Sequence, residues 1–68
     1  MLLKDLIKEV RMNHLLTQSE FAVMANIDQV SVSNYERGIR KPGLRALKKL
    51  IDAINSKTGM NIKYSDIE

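Results

Sequence analysis

TQSEFAVMANIDQVSVSNYERG, residues 17 to 38, is the stretch that decides the fold. Thr17 opens the four-residue pattern Thr-Gln-Ser-Glu. A Thr hydroxyl there accepts from the backbone N–H of Glu20, while the Glu20 carboxylate reaches back to the N–H of Thr17. This capping box precedes Phe21, Ala22, Met24 and Ala25, with Leu16 placed to staple onto Phe21, so a short helix is expected over Gln18 to Ala25. Asn26 follows, and asparagine tolerates the left-handed conformation that ends helices. Asp28 is a good N-cap for another helix reaching roughly Arg37, closed by Gly38. Val32 and Tyr35 share one face of it, with Ile27 just before, whereas Gln29, Val30, Ser33, Asn34 and Arg37 point elsewhere. A connection as short as Asn26 to Asp28 makes the two helices cross steeply, with small Ala22 at the approach and Val32 filling the space between.

Outward from this pair, Leu2, Leu3, Leu6, Ile7 and Val10 recur at helical spacing and predict a first helix to about Met12, ended by a turn at Asn13 and His14. On the other side, Gly38 to Gly43 enclose the only proline, Pro42, in a loop. A fourth helix is expected from Leu44 to about Asn55, with Leu44, Leu47, Leu50, Ile51 and Ile54 as its buried stripe. After Gly59 the sequence reads as either an extended segment or a short helical turn. It allows two arrangements, which the tail can also combine: the end of the fourth helix at Asn55 with Met60, Ile62, Tyr64 and Ile67 forms a dimerisation surface, or Ile62, Tyr64 and Ile67 fold back onto the first helix. The expected fold class is all-α, a compact bundle of four to five short helices. One domain is expected over residues 1 to 68, with its core in 3–55 and a tail in 56–68.

Sixty-eight residues suffice for one small core, since a domain of this size buries only ~60% of the surface its unfolded chain exposes. No apolar run approaches the ~20 residues that span a bilayer, and no secretory signal pattern opens the chain. Cysteine is absent, which excludes disulfides and thiolate metal sites and leaves the cytoplasm as the expected compartment. The net charge of +3 is unevenly spread. Six of the eleven Lys and Arg residues fall between Arg37 and Lys49, while Met12 to Glu36 contain none. The best-organised stretch of a basic chain is thus nearly free of positive charge.

Leu16-Thr17-Gln18, Glu20, Ala22, the turn at Asn26-Ile27, Val32-Ser33 and Tyr35-Glu36-Arg37-Gly38 followed by Lys41-Pro42 resemble the phage repressor and Cro-like (Xre-type) helix-turn-helix family. With the first and fourth helices the likeness covers roughly residues 3 to 55. The pairing of Leu-Thr-Gln at one end with Tyr-Glu-Arg-Gly and a following Pro at the other makes it specific. The resemblance implies a lambda-repressor-like DNA-binding domain whose third helix docks in the major groove. It implies a phosphate contact for Gln18, base-reading positions at Gln29, Val30, Ser31, Ser33 and Asn34, and a buried pair between Arg11 and Glu36. Two positions depart from the family pattern: Asn26 stands at the usual turn glycine, and Asp28 is a carboxylate at the groove mouth, either as N-cap or as acceptor from a cytosine N4 amine.

Such docking accounts for the charge segregation. Gln29 and Asn34 can form bidentate pairs with adenine, Val30 can touch a thymine methyl, and Ser31 or Ser33 can serve several bases. Phosphate contacts need cations, and Arg37, Arg40, Lys41 and Arg45 supply them. Lys48 and Lys49 read as solvated, and an exposed Val30 equally suits packing against a partner chain.

The lone His14 has no metal-ligand companion, no nucleophile elbow or phosphate-cradling glycine loop is present, and the domain is small for an enclosed pocket. The chain is therefore not expected to be an enzyme, and neither a cofactor nor a metal nor a small-molecule ligand is expected. The expected function is a sequence-specific regulator binding double-stranded DNA, most simply a repressor that acts as a homodimer on a palindromic operator. The alternative is an antitoxin-like protein-interaction module with secondary DNA binding.

Overall fold

In the computed structural model, which describes all of residues 1–68, the caps set where helices begin. Thr17 Oγ1 accepts from the Glu20 N–H at 3.0 Å, and Glu20 Oε1 accepts from the Thr17 N–H at 2.8 Å. Asp28 accepts from both the N–H of Ser31, at 3.0 Å, and its hydroxyl, at 2.7 Å. The resulting elements are α1 (Leu3–Asn13), α2 (Gln18–Ala25), α3 (Gln29–Glu36), α4 (Leu44–Thr58) and a 3-10 turn, Tyr64–Asp66. The all-α bundle expected from the sequence is the fold observed.

The first three helices end alike. A left-handed residue follows each, and the next amide reaches back five residues: Leu16 to Arg11 at 2.8 Å, Ile27 to Ala22 at 3.0 Å and Ile39 to Asn34 at 3.2 Å. These are Schellman endings, which satisfy carbonyls left over by the last turn. Asn26, at φ +56°, takes the left-handed position as its residue type allows, and Gly38 does so at φ +72°. After α1 the position falls on Leu15, also at φ +56°, one residue beyond the Asn13-His14 turn expected from propensity. A Cβ in this region costs ~1–2 kcal/mol, and Leu15 is 90% exposed, so packing does not offset the strain.

α2 packs on α3 and on α4, and α3 packs also on α1. Ile7, Phe21, Val32, Leu50 and Ile54 are fully buried where these helices meet. Each contributes about 1.5–3 kcal/mol through removal from water. Ala22 and Ala25 are buried on α2, leaving room for close approach, and Val32 lies against them in the same core.

Two expectations for α4 are corrected. Leu44, counted in the buried stripe, is 81% exposed. Burial deepens along the helix from Leu44 through half-buried Leu47 to Leu50, so the first turn stands outside the core. The helix also runs on past Asn55 to Thr58, ending at left-handed Gly59. Asn55 does not stop it, because its side chain is occupied elsewhere. The amide donates to the Ile62 carbonyl at 3.0 Å and accepts from the Ile62 N–H at 2.9 Å, standing in for a strand partner.

That clamp directs the tail back onto its own core. Ile62 is buried and Ile67 packs at the edge. The end of the chain pairs with its beginning: the Met1 ammonium donates to the Asp66 carbonyl at 2.8 Å, and the Glu68 N–H donates to the Met1 carbonyl at 2.9 Å. Of the dimerisation candidates, Ile62 is therefore consumed inside the protomer and Ile67 largely so, whereas Met60 and Tyr64 remain about half exposed. Between tail, α1 and the loop before α4 lies an open cleft of about 410 Å³. The chain's small size gave no reason to expect a space of that volume.

Candidate nucleic-acid interface

α3 turns its two sides to different surroundings. Val32, Tyr35 and Glu36 are buried; Gln29 and Val30 are exposed, and Ser31, Ser33 and Asn34 half-buried. At 100° per residue, Val30 and Arg37 stand at the centre of the outward face with Ser33 and Asn34 on either side. Gln29 extends this face at the first turn. Val30 is 69% exposed, so the centre of the face is an uncovered apolar group among polar ones.

Hydrogen bonding separates these residues further. The side chains of Gln29, Ser33 and Asn34 make no hydrogen bond within the protein, and neither does that of Gln18 at the start of α2. Ser31 differs. Its hydroxyl proton is given to Asp28, so it faces outward only as an acceptor. This bond, with the Ser31 N–H, holds the Asp28 carboxyl below the usual carboxylate range. Asp28 thus serves as N-cap and is a fixed negative charge beside the outward face. Glu20 is likewise held low, chiefly by the backbone N–H of Thr17.

Six basic residues run from Arg37 to Lys49, and the structure divides them. Lys48 pairs with Asp52 at 3.6 Å. The Lys49 ammonium donates to the Asn26 carbonyl at 3.2 Å. This corrects its reading as merely solvated: α2 has no basic residue in its last turn, and Lys49 supplies one from α4. Arg37, Arg40, Lys41 and Arg45 are exposed and form no ion pair. They flank α3 from its C-terminal end through the loop to the first turn of α4.

The orientation of α3 is fixed from behind. Arg11 Nε donates to Glu36 Oε2 at 2.8 Å and Arg11 Nη2 to Glu36 Oε1 at 3.0 Å, a two-pronged ion pair. Arg11 Nη1 also donates to the Leu16 carbonyl at 3.2 Å. One guanidinium thereby ties α1 to the last residue of α3 and to the turn that enters α2. The hydrogen bond from Arg11 to Glu36 raises the guanidinium pKa above its ordinary value. Glu36 is only 2% exposed.

Sequence reasoning did not find the roles of Lys49, Asn55 or Lys4, whose side chain lies over Gly38 (a Cβ on Gly38 would sit 3.1 Å from Lys4 Cδ). None belongs to a short motif; Lys49 and Lys4 act on residues far along the chain and Asn55 on one seven positions away across a loop, so spacing carried no signal.

Two short helices joined through Asn26–Asp28, the second locked from behind and uncovered in front, form a helix-turn-helix, the class of unit that inserts a helix into a DNA groove. The helix-turn-helix family model HTH_3 matches residues 7–59, well over half the chain, and the chain belongs to this Xre-type, phage-repressor-like family of DNA-binding regulators. No curated protein and no solved structure matches the chain. No helix is long and apolar enough to cross a membrane.

Proposed function

We propose that the protein is a sequence-specific regulator, a small repressor that binds a palindromic operator as a homodimer through α3 in the major groove. The observation that carries this reading is the adjacency of the uncharged side chains Gln29, Val30, Ser33 and Asn34 on the outward face of α3 to Arg37, Arg40, Lys41 and Arg45, all without carboxylate partners. Gln29 and Asn34 serve adenine, Val30 a thymine methyl, and Ser33 either donor or acceptor edges. Ser31 and Asp28 together offer acceptors only, which favours a base amine, on cytosine or adenine, at the site they face. Gln18 and the four cations hold phosphates. Binding, rather than catalysis, is the whole of the proposed role.

A single α3 reads a few base pairs, so two protomers on half-sites ~34 Å apart suit a molecule measuring 26 × 25 × 18 Å. Met60 and Tyr64 are the tail residues left to join them, with Ile62 in the protomer's own core and Ile67 packed at its edge. Selection of bound sites from a random duplex library tests the reading. Enrichment of a palindrome with half-site centres one helical turn apart is expected. With ~4 phosphates neutralised per protomer, log K falls with log salt at a slope near −3.6 per half-site, and Lys41→Ala reduces that slope by ~0.9 without changing the selected sequence. Binding without any enriched sequence refutes it.

Exposed Val30 on α3 and Val23 on α2, 69% and 79% exposed, favour a second reading, an antitoxin-like module whose partner is another protein. Loss of duplex binding in Gln29→Ala supports the first reading. Unchanged duplex binding in that variant, with loss of a protein partner in Val30→Ser, supports the second.

A further inference from the structure

The open cleft of about 410 Å³ shares two of the unpaired cations beside α3 and adds a third. Lys4, Arg40 and Lys41 line it, and none has a carboxylate within ion-pairing distance. The one acidic side chain on its rim, Glu68, is held by the Met1 ammonium at 3.6 Å. Because Lys4 lies over Gly38, its charge stays beside the loop that carries the other two cations.

The remaining lining is mostly apolar, with Leu3, Leu47 and Ile67 among it, and Tyr64 also borders it. Tyr35 adds a polar point. Its ring is buried at 6% exposure and its hydroxyl makes no hydrogen bond in the protein, yet no side-chain polar atom is both buried and unpartnered. The hydroxyl therefore reaches solvent, and the cleft is where Tyr35 is uncovered. An apolar wall, three cations without partners and a free hydroxyl are complementary to one kind of molecule: an apolar body ending in an anion. The volume lies within the ~300–1,000 Å³ of small-ligand sites.

We propose that this cleft binds a small amphipathic anion, a carboxylate on a medium-length alkyl or single aromatic body, and that its occupancy withdraws Arg40 and Lys41 from DNA phosphates. The first half stands on the cleft alone. The second rests on the proposed reading of those two residues as phosphate contacts. The DNA-binding unit would then carry its own inducer site. Lys4 belongs to the cleft and not to the proposed phosphate set, so it separates the two halves.

The test is an NMR titration of the isotope-labelled full chain with sodium octanoate and, separately, octan-1-ol, with duplex binding measured on a mixed-sequence duplex in each. Saturable shifts confined to the amides of Gly38, Lys41, Leu47 and Ile67 are expected, with octanoate bound ~10-fold more tightly than the alcohol through its added charge contacts. Lys4→Met weakens octanoate binding ~2- to 5-fold, the range for one exposed ion pair, and leaves duplex binding unchanged. Saturating octanoate weakens duplex binding by ~5-fold or more. Absent or unsaturable shifts overturn the site, and equal binding of acid and alcohol overturns the anionic class. Octanoate binding with duplex affinity unchanged overturns the competition. Octanoate binding by a protein that ignores the duplex altogether overturns the phosphate reading and upholds the cleft. Co-sedimentation with phosphatidylglycerol vesicles, without response to octanoate, replaces the free ligand with a lipid surface and overturns the proposal.

Discussion

Arg11 and Glu36 form a pair whose two halves differ in burial, and the difference predicts an unequal pair of mutational costs. The Glu36 side chain is 3% exposed and that of Arg11 23%. Arg11→Met leaves a carboxylate sealed in the protein with neither of its guanidinium donors. Stranding one member of a buried pair costs ~3–5 kcal/mol. Glu36→Met instead leaves a guanidinium that keeps its bond to the Leu16 carbonyl and reaches some water, so its cost is that of a lost charged hydrogen bond, ~1.5–3 kcal/mol. The double variant removes both charges and loses only the donor to Leu16, ~1 kcal/mol. A chain of this length has ~3–10 kcal/mol of total stability, so at the lower end of that range Arg11→Met is largely unfolded, and an osmolyte such as TMAO is included with all four proteins. Urea denaturation followed by circular dichroism, with equal m-values as the condition for comparison, closes the cycle. The double variant should be more stable than Arg11→Met by ~2 kcal/mol or more. Additive costs, or equal costs for the two single variants, would refute the account of Arg11 as the strut behind α3.

Other outcomes follow from the caps, the turns and the tail. Asp28 and Glu20 have folded pKa values below their unfolded ones, so the stability they supply is present above the ordinary carboxylate range and is lost as pH falls through the depressed folded values. Asp28→Asn with Glu20→Gln keeps both caps but not their ionisation; the fall in Tm below about pH 4 should become shallower, and an unchanged acid limb counts against these two carboxylates as its source. Leu15→Gly removes the Cβ from a left-handed position and should stabilise the fold by ~0.5–1 kcal/mol after the entropy of glycine is subtracted, read as a higher Tm. A fall in Tm would mean that Leu15 makes a contact beyond its own turn. Ile62→Ala should cost ~2–5 kcal/mol of protomer stability at any protein concentration. A loss that grows on dilution would instead place Ile62 in an interface between copies.

The parts of this fold that were legible in the sequence are those whose physics is local. The Thr17–Glu20 box, the left-handed Asn26 and the Asp28 cap each involve residues within three or four positions of one another, and all formed at the expected places. The all-α bundle followed from the periodicity of the apolar residues. What could not be read needed the third dimension. Leu44 fits the helical stripe as well as Leu47 does, and only the extent of the core decides that one is bare. Asn55 looks like a helix end until Ile62 is brought to it, and Leu15 is a poor choice for a left-handed turn by every local preference. For the interface, charge segregation identified the cations, but which of the six are uncommitted depended on Asp52 and Asn26, one on the same helix and one in the turn after α2.

The side chains on the outward face of α3 have no second employment. Gln29, Val30, Ser33 and Asn34 cap nothing, pair with nothing and fill no core, while the helix that carries them is held in place by Arg11, Val32, Tyr35 and Glu36 from the opposite side. On the proposed reading, the address the protein recognises is therefore written in residues that the fold does not consult. Such a molecule can be redirected to a new operator by a few exchanges at these four positions, each nearly neutral for folding. Asp28 and Ser31 are the exception: they hold the start of the helix and face outward together, so a new letter there must also be a new cap.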